Sequence, residues 1–217
     1  MIEAAVFDLD GVIVDSEQLW DEVRVQFVRE SGRPFPKRAT RDMMGMSSPE
    51  WSRYLVEQLG VPGTPEQANA EVVRRLLARY EEKLPLIPGA VEAVRRIAAR
   101  WPIAIASSSN PEVIEFVLRA SGLDSVVQTA VSSEEVGRGK PAPDVYLEAV
   151  RRLVVDGSCC AAVEDSHNGI RSAKSAGLRV IAIPNPHFPP DAESVALADL
   201  VLASIDELTV DVVQDLG

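Results

Sequence analysis

Two aspartates one residue apart, Asp8 and Asp10, close an apolar run that starts at Ala4, and Gly11 follows at once. Carboxylates at that spacing can act as nucleophile, general acid or metal ligand. By itself Asp-x-Asp-Gly also describes an ordinary acidic turn. Three further groups give it chemical content. Ser107 ends a second apolar run, Ile103 to Ala106, and opens the stretch Ser107-Ser108-Ser109-Asn110. Lys140 stands in the loop Gly137 to Pro143, and Glu164-Asp165-Ser166 ends a third run, Cys159 to Val163. Each has a structural reading: a helix N-cap, a solvated loop lysine, two acids completing a helix dipole. Taken together they suit phosphoryl chemistry, with a carboxylate nucleophile, an acid beside it, and a hydroxyl and an ammonium for phosphate oxygens. Two adjacent acids near Asp8 and Asp10 would repel them. A divalent cation relieves that repulsion, and all-oxygen ligands suit Mg²⁺.

Such a set converges only if parallel strands deliver it to one sheet edge. Short apolar runs at 4–7, 103–106, 126–131, 159–163, 179–183 and 200–202 alternate with helical patterns, as βαβ units do. Val12 to Val14 reads as a tight loop or hairpin leaving the first strand. From Glu17 the period changes: Leu19, Val23 and Phe27 recur every four residues, and Gly32 and Pro34 stop that helix. Ser48-Pro49-Glu50 starts another, with Trp51, Leu55 and Leu59 as its apolar face, and Thr64-Pro65-Glu66-Gln67 forms a capping box for a third. Leu84 to Gly89 is the return linker. The expectation is an α/β parallel-sheet protein with an all-helical insert after its first strand.

The chain's 217 residues can bury a substantial core, and its formal net charge of -11 opposes a phosphate backbone. The expectation is therefore no nucleic-acid partner. A small phosphorylated metabolite is compatible, because local cations and a metal act at short range. Cys159 and Cys160 are adjacent, so a strand would point them to opposite faces as unpaired thiols. With no leader-like start and no long apolar run, the expectation is a cytoplasmic monomer that does not engage a membrane.

Asp8-Leu9-Asp10-Gly11-Val12, Ser107, Lys140-Pro141-Ala142-Pro143-Asp144 and Glu164-Asp165-Ser166 resemble, in order and interval, the four motifs of the haloacid dehalogenase superfamily. The insert resembles the small helical cap of its phosphatase and beta-phosphoglucomutase subfamily. The resemblance implies a Rossmann-like core of residues 1–15 and 84–217 and a cap of residues 16–83. It implies attack by Asp8 on phosphorus to give an aspartyl-phosphate. Mg²⁺ would be held by Asp8, the backbone carbonyl of Asp10 and Asp165, with Glu164 assisting. Ser107, Ser108 and Lys140 would take phosphate oxygens. Asp10 would serve as acid and then base, protonated in one half-reaction. Asp15-Ser16 and Lys83 to Pro88 would be the hinges through which the cap closes.

Asp15 to Trp20 resembles the Asp-Ser-Glu-Pro-Leu-Trp opening of sugar phosphate phosphatase caps, with Gln18 departing from it. Beta-phosphoglucomutases carry histidine where Trp20 lies, arginine where Ser48 lies and a cap lysine at Leu76. These departures favour a phosphatase acting on a sugar phosphate over the mutase alternative. Glu17, Trp20 and Arg75 are the cap residues expected to meet substrate. Arg38, Arg41 and Arg79 are further cations on the insert. A dehalogenase would lack Asp10 and need no metal, and a receiver-type signalling domain would lack the insert.

Overall fold

The computed structural model describes residues 1–43 and 46–217. Six strands, β1 (Ala4–Phe7), β2 (Ile103–Ser107), β3 (Val127–Ser132), β4 (Cys160–Glu164), β5 (Arg179–Ala182) and β6 (Leu200–Val201), form one parallel sheet in the order β3-β2-β1-β4-β5-β6. Strand β1 is central, and Phe7 is in register with Ile105 on one side and Val163 on the other. Strand order reverses between β1 and β4, the place where open α/β sheets leave a crevice beyond their carboxyl ends.

Both sheet faces are covered, which is why the strands read as continuous apolar runs. Side chains alternate across β1. Ala5 and Phe7 join the cluster that holds Val94 and Ile97 of α5 (Ala90–Ala98) and Val113 of α6 (Pro111–Ser121). Ala4 and Val6 join the cluster of Val145 and Tyr146 on α7 (Asp144–Leu153) and Ile170 on α8 (His167–Ser175). Two short helices, α9 (Ala192–Val195) and α10 (Val210–Gln214), complete the strand-bearing part.

Between β1 and α5 the described chain is helical: α1 (Glu17–Glu30), α2 (Lys37–Met43), α3 (Ser48–Arg53) running on as a π-helical turn (Tyr54–Gln58), and α4 (Pro65–Glu82). The Thr64 capping box is formed, with Gln67 N donating to Thr64 Oγ1 and Thr64 N to Gln67 Oε1. The two segments that cross between helices and sheet run side by side. Val14 and Leu86 form an antiparallel bridge, Asp15 N donates to Pro85 O at 2.8 Å, and Ile87 N donates to Ile13 O at 2.9 Å. Tyr80 of α4 packs on Phe116 of α6, ring centroids 6.2 Å apart, so the helical layer rests on the sheet layer.

Three local expectations shift. Helix α1 buries Trp20, Val23, Arg24 and Val28, while Leu19 and Phe27 are only half-buried. The inward stripe thus includes the Trp20–Arg24–Val28 row beside the one marked by leucine and phenylalanine, because two tryptophans shelter an arginine there. The cap of α3 is Ser47, whose backbone N donates to Glu50 Oε2 at 2.8 Å, one residue before Ser48. Cys159 lies in the turn before β4, and Cys160 begins the strand; both are free thiols. Among the described residues no helix is long and apolar enough to cross a membrane.

Candidate active site

Asp8 is the residue after β1, Ser107 ends β2, Glu164 ends β4, and Lys140 lies in the loop before α7, so the parallel sheet brings all four to one edge. Lys140 is 6 % exposed. Its Nζ contacts Asp8 Oδ1 at 3.0 Å and Glu164 Oε1 at 2.6 Å, and it sits 5.1 Å from the centroid of the Tyr146 ring. The ammonium's burial works against its charge, yet Asp8 and Glu164 more than offset that and hold Lys140 above the ordinary lysine range.

Glu164 is fully buried and saturated with donors. Lys140 and the Tyr146 hydroxyl donate to Oε1; the backbone N–H groups of Asp165 and Ser166 and the Ser166 hydroxyl donate to Oε2. Asp8 and Asp165 are both pushed well above the usual carboxylate range, by burial first and then by Glu164. Three buried carboxylates, Asp8, Glu164 and Asp165, offer ligand atoms within 4.8 Å of one another. One ammonium among three carboxylates leaves negative charge in excess, so the donor set fits a divalent cation with oxygen ligands. Gly11 completes the fit. At φ +77° it carries no Cβ where one would overlap the Asp165 carboxylate. Asn185 donates to Asp165 Oδ2 at 3.4 Å from the loop after β5.

Asp10 turns the other way. Trp20 Nε1 donates to Oδ1 at 3.3 Å and Ser16 Oγ donates to the same atom; Ser109 Oγ and Ser107 Oγ donate to Oδ2 at 2.7 and 3.3 Å. Two of these donors come from the helical segment and two from the sheet edge. A cavity of about 390 Å³ runs from Asp8, Lys140 and Asp165 past Asp10 to Glu17, Arg41 and Ser108. A smaller one of about 90 Å³ shares Asp10, Glu17 and Ser108 and continues to Trp20, Arg24 and Trp51. Glu17 is raised by its burial and by Asp10, with Arg24 opposing.

The expected residues Asp8, Asp10, Lys140, Asp165, Ser108 and Glu17 thus line one cavity, and Glu164 buttresses it from below. Ser107 is close but fully buried, its hydroxyl spent on Asp10 and on the Ser109 N–H. Trp20 reaches Asp10 and the smaller cavity. Arg75 is not brought there. It pairs with Glu30 at 2.6 Å and Glu71 at 2.7 Å where α4 meets α1, because a helical guanidinium finds its i–4 carboxylate first. Sequence reasoning passed over Tyr146, Asn185 and Arg24, which carried no spacing signal; Ser109 stood inside the serine run already marked, and Ser16 was marked as a hinge alone.

Known proteins resemble this chain along most of its length. The model of the haloacid dehalogenase-like hydrolases matches residues 2–177. Hexitol phosphatase B of Escherichia coli is 35 % identical over 216 residues, covering 96 % of this chain and 95 % of that protein. A phosphorylated carbohydrates phosphatase of Thermotoga maritima is 31 % identical over 181 residues, covering 83 % and 84 %. The crystal structure of CbbY from Rhodobacter sphaeroides in complex with phosphate superposes with a TM-score of 0.88 at 26 % identity, covering 99 % of this chain and all of that one, 100 %.

Proposed function

Since this chain belongs to the haloacid dehalogenase-like hydrolases, we propose that it is an Mg²⁺-dependent phosphatase that hydrolyses a sugar phosphate through an aspartyl-phosphate on Asp8. The observation that carries the reading is the buried Lys140 ammonium, seated on Asp8 at 3.0 Å and on Glu164 at 2.6 Å. It holds the attacking carboxylate at the strand end and supplies positive charge to the transferring oxygens.

Asp8 attacks phosphorus opposite the leaving oxygen. Asp10, fixed by its four donors, stands where it can give a proton to that oxygen and later take one from water at the acyl-phosphate. The Ser108 region and Lys140 take the phosphoryl oxygens. Asp8 and Asp165, with the backbone of Asp10, would hold Mg²⁺, which when bound supplies charge neutralisation at the phosphoryl group. Saturation of Glu164 by five donors supports a role through Lys140 and Asp165. In this reading residues 1–15 and 84–217 form the core and 16–83 the cap, whose seating over Asp10 excludes bulk water from the intermediate.

The test is phosphate release from a panel of hexose 1- and 6-phosphates and hexitol phosphates, with and without Mg²⁺. Turnover that needs Mg²⁺ and falls by about 10³-fold or more in Asp8→Asn is the expected result. Isomerisation of beta-glucose 1-phosphate with a bisphosphate primer, without hydrolysis of any ester, would overturn it.

A further inference from the structure

Arg24 lies one helical turn after Trp20 on α1 and is 9 % exposed. Its guanidinium carbon sits 5.8 Å from the Trp20 ring centroid and 6.0 Å from that of Trp51, and the two rings are themselves 6.0 Å apart. Two aromatic rings therefore hold the cation in place. Among the described residues it makes no ion pair, and its buried Nε has no hydrogen-bond partner. A buried donor left unmade costs free energy, so a cation held this way calls for an acceptor.

A packing role alone would ask only for the aliphatic stem, and a leucine at this helix position would supply that. Arg24 also lines the 90 Å³ cavity, together with Asp10, Glu17, Ser48, Ser108 and Ser109. That cavity meets the larger one at Asp10, Glu17 and Ser108. Asp10 protonates the leaving oxygen, so the atoms beyond that oxygen lie on the far side of Asp10 from Asp8. Arg24 lines the smaller cavity that opens from Asp10.

The charge around it decides what they are. Asp21, Glu17 and Asp10 are the carboxylates that act on Arg24, and two of them line the cavity. A second anionic group on the substrate would gain one guanidinium and meet two carboxylates. Hydroxyl groups suffer no such repulsion, accept from the guanidinium and donate to Glu17.

Resting on the phosphatase reading, we propose that Arg24 is a specificity residue that donates hydrogen bonds to the hydroxyl oxygens of an uncharged polyol leaving group. Hydrogen bonds from a charged donor are worth enough to change kcat/KM by about 10- to 100-fold, and a site built to make them discriminates against an analogue lacking the hydroxyls. The experiment uses three six-carbon phosphates: a hexitol phosphate, hexyl phosphate, and a hexonic acid phosphate that ends in a carboxylate. Arg24→Met keeps the stem volume and removes the head. It should lower kcat/KM for the hexitol phosphate by about 10- to 100-fold and for hexyl phosphate by a clearly smaller factor. Should Arg24→Met not fold, Arg24→Lys, which keeps the charge but loses the fork, is expected to show the same split at about 5- to 20-fold. Equal losses on hexitol and hexyl phosphates would make the role structural and overturn the proposal. A larger loss on the hexonic acid phosphate would make Arg24 an anion reader and overturn it too. Hydrolysis of no ester by the wild type would instead remove the phosphatase reading beneath it, an outcome distinct from both.

Discussion

Replacing Gly11 by alanine separates the two demands that position makes. Gly11 is at φ +77°, a conformation that costs an L-residue about 1–2 kcal/mol. Its missing Cβ also makes room for Asp165: an added Cβ would overlap Oδ2 and Cγ and lie 3.0 Å from Oδ1. The carboxylate would have to retreat by about 1 Å or more to restore ordinary contact. Misplacement on that scale at a reacting centre costs about 10²-fold in rate. Gly32 supplies the control, since it has nearly the same φ, +79°, and nothing within 4 Å of an added Cβ. Both alanine variants should therefore lose about 1–2 kcal/mol, or about 2–8 °C in Tm for a chain of this size. Only Gly11→Ala should lose about 10²-fold in kcat/KM and need a higher Mg²⁺ concentration for half-maximal rate. Phosphate release titrated with Mg²⁺, beside thermal unfolding of both variants, reads both terms. A Gly11→Ala enzyme with wild-type rate and Mg²⁺ dependence would refute the assignment of Asp165 to the metal site.

Removing the Lys140 ammonium leaves three buried carboxylates uncompensated, so Lys140→Met should destabilise the protein at pH 8 by about 3–5 kcal/mol and cut turnover by about 10²-fold or more. Asp8 and Asp165 are carboxyls raised on folding, so their cost is present above the folded-state pKa and relieved as pH falls through it; the gap to wild type in denaturant unfolding should narrow toward pH 5, and a gap independent of pH would refute the reasoning. Asn110, 1 % exposed, accepts from the Ser48 hydroxyl at 2.8 Å and donates to Glu134 Oε1 at 2.8 Å and Asn69 Oδ1 at 3.2 Å, tying α3 and α4 to the sheet edge. Asn110→Ala should cost about 1–3 kcal/mol in urea unfolding and Ser48→Ala less, because only the first strands several partners at once.

The sheet edge was legible because its residues end apolar runs. Asp8, Ser107 and Glu164 are each the last polar step after a buried strand, and a parallel sheet converts that sequence position into spatial proximity. Lys140 and Asp165 followed from the same logic. The helical layer was legible only as helices. Which row of α1 turns inward depends on Trp51, which comes from another helix, so periodicity marked Leu19 and Phe27 while the fold also buries Arg24. Arg75 shows the same limit in part: its partner Glu71 stands one turn back in its own helix, whereas Glu30, distant in sequence, is given by the fold alone. Long-range partners decide which cations are free, and a single sequence does not state them.

The ladder at Val14 and Leu86 sets how a change in the helical layer is passed to the sheet edge. The outgoing and returning segments are bonded to each other, Asp15 to Pro85 and Ile13 to Ile87, rather than to the helices they carry. In the reading proposed above, that pairing absorbs a change within residues 16–83 at their base, so Asp8 keeps its place at the end of β1, while Asp10, held by Ser16 and Trp20 as well as by Ser107 and Ser109, feels it.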